Sequence, residues 1–76
     1  VNNAPVKTRT RDRALAEYIR GRLWAEGTFA EIRQWNVAVY ADALPPVWEY
    51  SVEYLDPNGK MVEADLVWFV KFYGRA

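Results

Sequence analysis

Cysteine and histidine are both absent from this 76-residue chain. Without cysteine there is no disulfide and no thiolate chemistry. Without histidine, the commonest zinc ligand and the usual general base near neutral pH are missing. No apolar run approaches the roughly 20 residues that span a bilayer. The longest, Leu66-Val67-Trp68-Phe69-Val70, ends at Lys71. The first residues lack the apolar core of a signal peptide. No Gly-rich phosphate loop, metal-ligand spacing or cofactor fingerprint occurs. These absences lead us to expect a soluble cytoplasmic protein, not an enzyme, with no cofactor, no metal and no membrane partner.

What the chain has is aromatic mass: four Trp, five Tyr and three Phe. A chain of this length buries only about 60–65 % of its unfolded surface, so stability is marginal. Aromatic side chains, each burying up to about 150–250 Å², are one way to build a core without staples. The formal net charge is zero, but the charges are segregated. Residues 1–33 hold seven cations against four anions, a surplus of +3, and residues 34–76 hold three against six, a deficit of −3.

Residues 1–8 read as an extended basic arm, because Asn2, Asn3 and Pro5 disfavour helix, and residues 9–76 as a single α+β domain. A helix is expected from Thr10 as N-cap to a stop at Gly27, with Leu15, Tyr18, Ile19 and Leu23 forming one apolar stripe. Thr28-Phe29-Ala30-Glu31 fits a capping box and predicts a short second helix over 29–34. Alternation then predicts strands over 35–42, 47–55 and 60–73. The last stretch also fits a helix starting at Asp65, but its Val, Trp, Phe and Tyr content favours strand. The fold class is therefore α+β: an N-terminal amphipathic helix, with the short second helix, packed on one face of a three-stranded antiparallel sheet that ends in a long β-hairpin.

Asp56-Pro57-Asn58-Gly59 sets the hairpin register. Pro57 and Asn58 suit the centre of a type I turn and Gly59 the left-handed residue after it. Asp56 then closes on Lys60, and opposed residue numbers add to 116. That register pairs Tyr54 with Val62, Val52 with Ala64, Tyr50 with Leu66 and Trp48 with Trp68, all apolar. A one-residue slip would mix the faces. On the other face Glu53 opposes Glu63, an unfavourable pair by about 0.2–1 kcal/mol.

That second face supplies the candidate site. Glu49, Glu53, Glu63, Asp65, Val67, Phe69 and Tyr73 form an acidic-aromatic surface suited to a basic partner protein. The cation meeting these acids is the chain's own Arg-rich arm, a second copy or another protein. The favoured reading is a small adaptor or stoichiometric inhibitor, of the general size and charge of inhibitors encoded by phages and other mobile elements. A second reading is nucleic-acid binding through Lys7, Arg9, Arg11, Arg13 and Arg20. A third is a homodimer through Val67, Phe69 and Tyr73. Trp24, opposite the helix stripe, either packs on the following turn or anchors a partner. Glu53 and Glu63 have no pocket or nucleophile beside them, and Ser51 has no base. The α-β-β-β order resembles that of double-stranded-RNA-binding domains without their closing helix, and of small ribonuclease toxins without their basic active surface. Neither resemblance rests on motif residues.

Overall fold

A computed structural model describes residues 7–37 and 45–74. The element order is α1 (Arg13–Ala25), β1 (Ala30–Val37), β2 (Val47–Leu55), β3 (Met61–Glu63) and α2 (Leu66–Tyr73). The three strands form one antiparallel sheet in the order β1-β2-β3. This is the expected α+β architecture, with α1 packed on the sheet.

The N-cap of helix α1 lies two residues later than Thr10. The cap is Asp12, whose Oδ1 accepts the Leu15 N–H at 3.2 Å. Thr10 is used elsewhere: its Oγ1 accepts the Asp12 N–H at 3.0 Å, and its backbone pairs with Tyr50. The helix ends as Gly27 predicts. Gly27 has φ +82°, its N–H reaches Trp24 O, and the Thr28 N–H reaches Leu23 O, the paired bonds of a Schellman cap. Ala16, Ile19 and Leu23 are buried, with Leu15 and Tyr18 packed alongside.

The short helix over 29–34 does not form. The Thr28 amide is consumed in closing α1, and the chain leaves that cap already extended. Residues 30–37 then pair with β2 along their whole length, opposed numbers adding to 84. A capping box contributes about 1 kcal/mol, which an eight-residue ladder outweighs. Of the strand expected over 35–42, residues 35–37 belong to β1 and 38–42 lie outside the described residues.

The turn at 56–60 closes as read. Asp56 Oδ1 accepts the N–H groups of Asn58 and Lys60, both at 2.9 Å, Asp56 N–H reaches Lys60 O, and Gly59 has φ +83°. The register is also as read, with Leu55 opposite Met61, Tyr54 opposite Val62 and Glu53 opposite Glu63. The length of the hairpin is not. The final pairing bond runs from Ala64 N–H to Val52 O at 2.7 Å. The next step in that register would join Leu66 to Tyr50. Instead an arm of residues 7–10 occupies it: Thr10 N–H reaches Tyr50 O at 2.9 Å, Tyr50 N–H reaches Thr10 O at 2.8 Å, and the Leu66 N–H goes to Lys7 O; of the basic arm expected over 1–8, residues 1–6 lie outside the described residues. Denied its partner, the chain turns into α2, capped by Asp65 Oδ1 on the Trp68 N–H at 3.1 Å. The closing helix missing from the α-β-β-β reading is thus present as α2.

The buried core lies on the even-numbered face of the sheet. Ala30 and Val52 meet Ala16, Ile19 and Leu23 of α1, and Ala64 with Leu66 and Phe69 of α2. Tyr54 and Phe69 meet edge to face, centroids 5.7 Å apart. The helices are joined by Tyr18 Oη donating to Tyr73 O and by the Arg22 guanidinium over the Tyr73 ring. Burial and the Glu26 carboxylate raise the Tyr73 phenol above its usual pKa, and Arg22 opposes them.

Candidate functional site

The expected acidic-aromatic surface is divided by the end of β3. Glu49 and Glu53 do stand on the odd face of β2, half-buried, and Glu63 is exposed opposite Glu53. Glu31 of β1 also opposes Glu53, so three carboxylates cross the sheet in one row. Asp65 is a helix cap. Phe69 is buried in the core and Tyr73 packs against it. Helical periodicity carries both to the side opposite the one alternation assigned them. Of the expected apolar contacts, Val67 is exposed.

The segregated charges meet within the molecule. Arg11 lies 3.9 Å from Glu49 and Arg33 3.5 Å from Glu53. Both pairs are solvent-exposed on the arginine side, so each contributes at most about 1 kcal/mol. On the same odd face the Trp35 ring carries two guanidinium groups, Arg9 at 3.8 Å and Arg33 at 4.3 Å from its centroid. Its indole Nε1 donates to the buried Ser51 Oγ at 2.9 Å, which satisfies a hydroxyl that would otherwise be costly to bury.

The basic residues proposed for nucleic acid are dispersed in the same way. Arg13 pairs with Glu17 at 3.2 Å. Arg20 lies over Trp24 and donates to Ala30 O. With Arg9 on Trp35 and Arg11 on Glu49, these four arginines each have an intramolecular contact, and only Lys7 of the set has no side-chain contact of this kind among the described residues. Trp24 meets the residues after the turn while staying 51 % exposed. Its Nε1 donates to Ala30 O at 2.7 Å and its ring meets Phe29.

An exposed aromatic surface on α2 was assigned to the core by alternation. In α2, Leu66, Phe69, Val70 and Tyr73 face the core at i, i+3, i+4 and i+7, which leaves Val67, Trp68, Lys71 and Phe72 outside. Trp68 is 52 % exposed and Phe72 61 % exposed. Their rings stack at 5.0 Å with planes 10° apart. The signal for them in the sequence is the Asp65 cap followed by two aromatics four residues apart.

Among the described residues no group of His, Cys, Asp and Glu is placed to hold a metal ion, and no helix is long and apolar enough to cross a membrane. No protein-family model matches the chain, and neither a curated protein nor a solved structure is found to be similar to it.

Proposed function

We propose that this chain is a non-enzymatic protein-binding module, an adaptor or stoichiometric inhibitor, and that its recognition element is the outer face of α2. The observation that carries this reading is the stacked Trp68–Phe72 pair, more than half exposed beside Val67. Apart from Lys71, α2 is apolar all round, and such a helix is normally buried. Here one side meets the core, while on the other Trp68 and Phe72 lie more than half exposed, their ring contacts being with each other and with Phe69 and Tyr73 of the same helix. Large exposed apolar patches mark interaction sites, and tryptophan is over-represented where binding energy concentrates. The partner for such a surface offers an apolar groove that receives aromatics at i and i+4. Basic groups at the groove's rim would meet Glu63 and Asp65, which lead into α2. Nucleic-acid binding has less support, since the arginines it needs rest on rings and carboxylates of the same chain.

A photo-reactive amino acid at position 68 should crosslink one protein in stoichiometric amount. The purified partner should then bind Trp68→Asp/Phe72→Asp at least roughly 30-fold more weakly than the native chain, with the circular dichroism of the variant unchanged. Equal affinity of the double variant for that partner would remove α2 from the interface. Crosslinking to lipid or nucleic acid instead would reject protein binding by this face.

A further inference from the structure

We infer that the outer edge of β1 is a pairing site for a second copy of this chain, joined antiparallel about a two-fold axis at Gln34. The bond from Leu55 N–H to Phe29 O shows that the odd residues of β1 turn their backbone groups toward β2. The even residues therefore turn theirs outward. At Ala30 the outward carbonyl is taken by Arg20 Nε at 3.3 Å and Trp24 Nε1 at 2.7 Å. At Ile32, Gln34 and Asn36 no backbone partner occurs among the described residues. This stretch carries no proline or bulge, and its two charges, Glu31 and Arg33, belong to the residues whose backbone faces β2, so the open residues Ile32, Gln34 and Asn36 are uncharged.

The open groups select the register. Pairing Gln34 with its own copy sets Ile32 opposite Asn36 on both sides of the axis and uses all three open residues, with two backbone bonds at each pair. A shift of one two-residue step toward the N-terminus demands the Ala30 carbonyl and opposes Arg33 to its own copy. A shift the other way moves Ile32 beyond the described strand and opposes Trp35 to itself. In the Gln34-centred register Arg33 faces the partner's Trp35 and Glu31 faces the partner's Val37, so no like charges are opposed along the strands.

The neighbouring groove favours a copy of this chain over an apolar strand. Arg13, Glu17 and Arg20 of α1 line it with Glu31, Ile32 and Gln34 of β1. An apolar strand laid there would desolvate those charges without replacing their hydrogen bonds. The same face of a second β1 brings Gln34 and Asn36, polar amides suited to it. Closed two-fold pairing is also the commonest way a chain meets itself. This surface is separate from α2, so it stands or falls independently of the proposed partner.

Sedimentation should show mass rising from 8.9 kDa toward a dimer over the micromolar to about 1 mM range suited to a small interface. Gln34→Lys opposes like charges across the axis and should raise the midpoint concentration roughly fivefold or more. Because the chain has no cysteine, Gln34→Cys reports proximity directly: a short bis-maleimide should link it as a dimer, and Asn58→Cys in the distant turn should stay monomeric. A monomer throughout the range overturns the inference. So does a dimer that Gln34→Lys leaves intact but Trp68→Asp dissolves, since that dimer would use α2.

Discussion

Residues 47–55 and 61–73 carry the same period-two alternation, yet one is a strand throughout and the other becomes a helix after three paired residues. The difference is in what surrounds them. Strand β2 is central: β1 satisfies one side, and β3 followed by Thr10 satisfies the other. The run after Ala64 has one available neighbour, Tyr50, and Thr10 already holds both of its outward backbone groups. A strand without a partner exposes its amides; a helix satisfies its own. Alternation therefore states which faces a strand would have, and competition for hydrogen bonds decides whether the strand exists.

The sharpest way to break this contrast is to compare two adjacent aromatics. If 66–73 were a strand, Trp68 would be in the core and Phe69 on the outer face. In α2 the assignments are reversed, with Phe69 buried and Trp68 half exposed. Phe69→Ala should therefore cost about 3–5 kcal/mol by urea denaturation, enough to unfold much of a marginal domain. Trp68→Ala should cost about 1 kcal/mol or less, the worth of its ring contacts. A larger loss from Trp68→Ala than from Phe69→Ala would restore the long hairpin.

The competitor itself is the next target. Thr10→Pro removes the N–H that reaches Tyr50 O and should cost about 1–3 kcal/mol. Hydrogen exchange at the Tyr50 and Leu66 amides should quicken together, because Thr10 and Lys7 hold them from one arm. Unchanged protection at both would show that the arm does not decide where β3 ends.

These two regions also show how much was legible in advance. The turn chemistry of Asp56 to Gly59 named both the hairpin and its register, because the needed φ and the carboxylate cap are local. Helix α1 was legible from its stripe and its Gly27 stop. The strand over 30–34 was hidden because Thr28 to Glu31 spells a plausible helix start, and only pairing with β2, twenty residues on, overrides it. The residues of the candidate site were parted for the same reason. Glu49, Glu53 and Glu63 keep their predicted face because they lie where the ladder holds. Phe69 and Tyr73 lost theirs because they lie beyond it. Arg11 beside Glu49 and Arg33 beside Glu53 show that the opposite charges of the two halves partly serve each other. The charge tally allowed that outcome but did not assign the pairs.

The smallest of the three effects tests whether α2 is held by its own start as well as by its lost neighbour. Asp65 caps the helix through the Trp68 N–H. Asp65→Ala should cost about 1 kcal/mol, and Asp65→Asn much less, since asparagine supplies the same acceptor. The loss should appear as faster exchange in the first turn of α2, with the turn at Gly59 and the β1–β2 ladder unchanged. If instead the alanine variant gained protection through residues 66–70 while losing helical circular dichroism, the segment would have returned to the sheet. Asp65 would then be the residue that separates the two halves of one alternating sequence, and the arm at Thr10 would only follow.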